Sequence, residues 1–219
     1  MALKLSQKTV GGPAAPQAET PPPIPSVLST SKDQEKEAED LFQKGKKSEP
    51  SLFSSLFSSL SDEEQAAKYA QAAHYYELAA NMGHSEAQLE LGWLYDCDND
   101  YAIEKNEDKA VFWYKKAAEQ DNLVALRQLS HFFNDRDSIK SAAYRIRMTE
   151  IADENEIIDE DLDEDFYYDS LSLGKELWES GEKSLAIKLY RIVANTENDD
   201  NEEVREEAKE FLENHGYDW

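Results

Sequence analysis

Cysteine is almost absent from this chain of 219 residues: Cys97 stands alone. A single thiol excludes an intramolecular disulfide scaffold and fits a reducing compartment. Basic residues are scarce. There are 23 Lys and Arg against 47 Asp and Glu, a net charge of −24. That balance argues against nucleic acid as a direct partner, because phosphate binding needs clustered cations. It argues equally against adsorption to anionic lipid. No stretch approaches the ~18 consecutive apolar residues of a membrane span, and the opening Met1-Ala-Leu-Lys-Leu-Ser6 has no signal-peptide core. A cytoplasmic location is expected.

Catalytic signatures are also missing. The eight glycines are scattered, so no phosphate-binding loop is formed. There is no Gly-x-Ser-x-Gly and no His-Glu-x-x-His. His74, His84, His131 and His215 show no zinc-ligand spacing with Cys97. Aspartates beside Cys97 should raise its pKa and make it a poor nucleophile. The expectation is a protein that is not an enzyme and needs no cofactor.

Proline divides the chain. Six of its seven prolines lie between Pro13 and Pro25. Residues 1–33 read as a disordered, Pro-rich tail with little to bury. It contains Pro13-Ala-Ala-Pro16 and Pro22-Pro-Ile-Pro25, the spacing that aromatic grooves recognise, although a plain spacer is the simpler reading. Beyond the tail, Ala, Leu, Glu, Lys and Gln dominate, and apolar residues recur at three- and four-residue spacing. The class is all-α, with a helical domain over 34–219. Helices are expected at about 34–46, 62–82, 85–97, 108–120, 123–134, 138–153, 164–180, 182–195 and 202–214. Ser61-Asp-Glu-Glu64 supplies a capping box, and Gly83, Gly181 and Gly216 sit where helices should stop.

Self-comparison is the most informative step. Shifting the chain by 38 residues places Ala72 on Ala110, Tyr76 on Tyr114, Ala79-Ala80 on Ala117-Ala118, Ala87 on Ala125 and Leu91 on Leu129. A shift of 76 brings Ala110 and Tyr114 onto Ala186 and Tyr190. Ile151-Ala152 takes the paired-alanine place in a shorter third copy. Identity recurs at small and aromatic positions, which set how closely two helices approach. The pattern describes a solenoid of about four helix-turn-helix units that must stack to hide their flanks.

The run Ala87-Gln-Leu-Glu-Leu91-Gly92-Trp-Leu-Tyr95, followed by Asp108-Lys-Ala110-Val-Phe-Trp-Tyr114-Lys-Lys-Ala117-Ala118, resembles a Sel1-like repeat, a relative of the tetratricopeptide repeat. The best-matching stretches are 66–133 and 164–195. The resemblance implies that Leu91, Gly92, Tyr95, Ala110, Tyr114, Ala117 and Ala118 are structural. It also implies a concave partner-binding groove lined by the first helix of each hairpin. By position, that groove takes Glu86, Leu89, Trp93, Asp96 and Cys97 in one unit. In the next it takes Val124, Arg127, His131, Asn134 and Asp135, and in the last Tyr168, Leu171, Lys175, Trp178 and Glu179.

Three further segments carry expectations. In the loop after Tyr95, Asp96, Asp98, Asp100, Glu104 and Glu107 have the spacing of a calcium loop. Tyr101, however, stands where such a loop needs glycine, so a solvated acidic loop is the preferred reading and no metal is assigned. Ten acids and no base fall in 153–169, with Asp159, Asp161, Asp163 and Asp165 at alternate positions. This acidic patch, or the second acidic run at 197–213, reads either as a solvated face or as a lure for a basic partner. Ser51-Leu-Phe-Ser-Ser-Leu-Phe-Ser-Ser-Leu60 is expected to cover the open end of the solenoid. The functional expectation is a non-catalytic module that captures a basic protein, in the manner of an immunity protein neutralising a cationic toxin or nuclease. An assembly adaptor or chaperone is the second reading, and a calcium-responsive binder the third.

Overall fold

The computed structural model describes residues 31–49, 61–97, 103–154, 164–196 and 202–219. Among these, nine helices and no strands are present: α1 (Ser31–Ser48), α2 (Asp62–Asn81), α3 (Ser85–Asp96), α4 (Glu107–Ala118), α5 (Leu123–Phe133), α6 (Ser138–Glu154), α7 (Glu164–Ser180), α8 (Lys183–Ala194) and α9 (Glu202–Asn214). Helices α1/α2, α3/α4, α5/α6 and α7/α8 pack as successive hairpins, and α9 closes the array against α8. The stretch Ser51–Leu60 lies outside the described residues, as do Asp98, Asp100, Asp159, Asp161, Asp163 and the chain before Ser31.

Local chemistry sets most helix boundaries. The expected capping box forms at α2: the Glu64 N–H donates to Ser61 Oγ, and the Ser61 N–H donates to Glu64 Oε2 at 2.9 Å. Asn106 Oδ1 caps α4 by accepting from the Lys109 N–H (3.0 Å), and Asn122 Oδ1 caps α5 by accepting from Ala125 (2.9 Å). His84 caps α3 through Nδ1, which accepts from the Ala87 N–H at 3.2 Å. Each cap satisfies an N–H that the first turn would leave unpaired. Gly83, Gly181 and Gly216 end their helices at φ values of 94°, 96° and 77°. Asp121, one 38-residue period after Gly83, takes the same left-handed place at φ 59°.

Packing follows the repeat. Gly45 in α1, Gly92 in α3 and Gly174 in α7 each lie against a buried tyrosine of the following helix: Tyr76, Tyr114 and Tyr190 respectively. A Cβ at Gly45 or Gly92 would fall closer than 3.0 Å to the ring, so only glycine admits the aromatic there; at Gly174 the gap is 3.3 Å. Helix α1 is therefore the first helix of a full hairpin, although it carries no Ala/Leu signature. Aligning Gly45 on Gly92 shows why. Ala87, Leu91 and Leu94 are buried in a cluster with Ala72, Tyr76 and Ala79 of α2, whereas Asp40, Lys44 and Lys47 occupy the matching places in α1 and are exposed. The array thus begins with a polar outer face.

The largest apolar cluster runs from Leu126 and Ile146 through Phe166 and Leu177 to Leu189 and Leu212, joining the last two hairpins to α9. Arg145 of α6 is fully buried. Its guanidinium donates to the Phe166 carbonyl (3.1 Å), to Ser170 Oγ (3.4 Å) and to Asp169 Oδ2 (2.9 Å), tying α6 to α7. Buried charge of this kind is costly unless its donors are satisfied.

Candidate functional site

The first helices α1, α3, α5, α7 and α9 follow one another along the array. Lys46 of α1 bonds Glu90 of α3 at 3.0 Å, Leu89 of α3 packs with Leu129 of α5, Leu126 of α5 shares a cluster with Phe166 of α7, and Lys175 of α7 bonds Glu207 of α9 at 2.6 Å. Along this row the residues expected in a groove take different roles. Trp93 (45% exposed) and Tyr168 (44% exposed) present their rings to solvent. Glu86, His131, Asp135, Lys175 and Glu179 are also exposed, while Leu89, Val124, Arg127 and Asn134 are half-buried. Leu171 is in the core.

Asp96 and Trp178 are drawn into packing. The Tyr114 hydroxyl donates to Asp96 Oδ2 at 3.3 Å, just as the Tyr76 hydroxyl donates to Glu49 Oε1 at 2.6 Å. In each case the acid stands four residues after the glycine that admits the ring. Trp178 is the fourth residue after Gly174, and among the described residues no carboxylate or other hydrogen-bond partner reaches the buried Tyr190 hydroxyl. The Trp178 ring is covered instead by Phe211 (5.0 Å between centroids), His215 (4.6 Å) and Tyr217, with Lys183 Nζ 4.7 Å from its centre. Burial, then the Glu49 or Asp96 carboxylate, raises the pKa of Tyr76 and Tyr114 far above the ordinary phenol range. Burial, then the Glu207 and Glu179 charges, pushes Tyr190 up to about 12.

The loop read as a calcium site is only partly described. Ile103 packs into the core, Asp96 serves Tyr114, and Glu107 accepts from Arg136 at 3.2 and 3.3 Å. Among the described residues, no group of three or more His, Cys, Asp or Glu side chains could hold a metal. The Cys97 thiol is pushed above its ordinary value first by desolvation and then by Asp96, with Lys105 opposing. Of the acidic patch, Asp165 is exposed at the start of α7. Sequence spacing did not single out the face that Glu203, Glu207 and Glu210 form on α9, because only the Lys175–Glu207 bond shows that it adjoins α7. The buried Arg145 was also missed, although it lies three residues after the buried Ala142 and three before the buried Met148, on one helical face.

Stacked helical hairpins with glycine–tyrosine contacts define the class: an α-helical repeat solenoid. The Sel1 repeat family model matches residues 61–84 and 85–122 of the chain. Among solved structures, a Sel1 repeat protein from Oxalobacter formigenes is similar at 20% identity, over 88% of this chain and 68% of that one, with a TM-score of 0.48. A protective antigen of uropathogenic Escherichia coli with an SLR fold is similar at 19% identity, over 84% of this chain and 42% of that one, with a TM-score of 0.37. No curated protein matches. Sel1 repeats in general mediate protein–protein interaction and are typically non-catalytic scaffolds. Among the described residues, no helix is long and apolar enough to cross a membrane.

Proposed function

We propose that this protein captures a basic partner protein on the row of first helices, and that it acts as an inhibitor or immunity-type protein against a cationic target. The carrying observation is the pair of exposed rings, Trp93 and Tyr168, on the first helices of a chain with net charge −24. Exposed aromatics supply anchors at interfaces. The surrounding negative field speeds encounter with a positive partner and rejects negative ones. The test is partner capture on immobilised protein, followed by titration of the purified partner between about 50 and 500 mM salt, where charge steering fades. A one-to-one complex whose affinity falls steeply with salt is the expected result. An affinity indifferent to salt rejects the basic-partner reading.

A further inference from the structure

Charge is unevenly distributed along the chain. Residues 155–219 hold 21 acids against six Lys and Arg, while residues 103–154 hold ten against nine. Residues 61–102 hold nine acids against one Lys, so the acidic excess falls in two blocks, of which the last part of the array is the larger. Two helix faces meet there. On α7, Tyr168, Ser172, Lys175 and Glu179 follow one another at helical spacing; on α9, Glu203, Glu207 and Glu210 do the same. All seven are exposed. The bond from Lys175 Nζ to Glu207 Oε1, 2.6 Å with both side chains half exposed, sets the two faces side by side. Glu179, Glu203 and Glu210 have no cation within ion-pair distance among the described residues.

A second observation points to the same place. The Tyr190 hydroxyl, on a side chain 1% exposed, has no hydrogen-bond partner among the described residues and lies in the field of Glu207 and Glu179. Its counterparts on Tyr76 and Tyr114 each reach a carboxylate. A partner's ammonium or guanidinium group held between those two acids would pair with their carboxylates at the surface above this hydroxyl. Tyr168 offers a ring for the same side chain's stem or charge.

We propose that the face shared by α7 and α9 is the docking surface for a lysine- or arginine-rich segment of the partner, and that Lys175 holds the place of the partner's cation until it arrives. This rests on the basic-partner reading above and gives it a location. The test is titration of a fluorescein-labelled decalysine peptide against the full chain at about 50 mM salt, read by anisotropy. Wild type binds. The variant E179Q/E203Q/E210Q weakens binding about tenfold, whereas E35Q/E37Q/E77Q, which removes the same charge from α1 and α2, changes it less than about twofold. K175Q, by vacating Glu207, tightens binding about threefold, a gain that a misfolded variant does not produce. Equal losses in the two triple variants, or no gain with K175Q, overturn the location and leave the basic-partner reading standing. No binding by wild type overturns both.

Discussion

Glycine and tyrosine together hold three of the four hairpins closed, and the contact is tight enough for its energetics to depend on tenths of an ångström. Alanine in place of a helical glycine gains about 1 kcal/mol of helix propensity. Overpacking a filled core costs about 1–3 kcal/mol. At Gly92 the added Cβ meets the Tyr114 ring closer than 3.0 Å, so the packing cost prevails. Gly92→Ala is expected to lose about 2 kcal/mol in urea denaturation. At Gly174 the gap is 3.3 Å and the two effects nearly cancel. Gly174→Ala is expected within about 0.5 kcal/mol of wild type. Equal effects at the two sites refute the contact geometry. The tyrosines add a pH dependence. Tyr190 titrates near 10 when unfolded and near 12 when folded, so the folded state holds its proton more tightly. Its contribution is fully present below pH 10 and is lost as pH rises through 12. Melts across that window should show a steeper alkaline fall for wild type than for Tyr190→Phe; identical slopes refute the assignment.

At the scale of elements, α1 separates the end of the array from its middle. The same three positions carry Ala87, Leu91 and Leu94 where a preceding hairpin stacks, and Asp40, Lys44 and Lys47 where none does among the described residues. Restoring the apolar set with D40A/K44L/K47L exposes a sticky end, and sedimentation should show concentration-dependent association that wild type lacks; a monomeric triple variant argues that this face is not a stacking surface. The same contrast explains what the sequence revealed. Helix positions were legible to within a few residues because their caps and stop glycines are local. The middle repeats were legible because small and aromatic residues recur at 38. Helix α1 was legible as a helix but not as part of a repeat, since a capping helix must discard the apolar signature that identifies its siblings. Trp93 and Tyr168 entered the expected groove only through the family resemblance, and the structure places both rings at the surface. The bond between Asp96 and Tyr114, and the cover that α9 and Tyr217 place over Trp178, were not. Both depend on segments brought together only by tertiary folding.

Over the whole molecule, ion pairing and net repulsion oppose each other, and salt separates them. The described ion pairs are nearly all exposed, such as Lys116–Glu119, Arg136–Glu107 and Arg147–Asp121. Exposed pairs of this kind contribute about 0–1 kcal/mol each and weaken as salt rises. Against them stands a net charge of −24, with 21 acids among the last 65 residues. Screening removes repulsion from every uncompensated acid but removes attraction only from the minority that are paired. The repulsive term therefore dominates. The melting temperature is expected to rise by several degrees between about 10 and 500 mM sodium chloride, where the Debye length falls from about 30 to about 4 Å. A melting temperature that falls with salt would mean that the surface pairs outweigh the excess charge. The E179Q/E203Q/E210Q variant sharpens this expectation. It relieves repulsion where acids are densest, so it should melt higher than wild type at low salt and converge with it at high salt. A site that lowers stability in isolation and awaits a cation from outside is the arrangement that a charge-capturing surface requires.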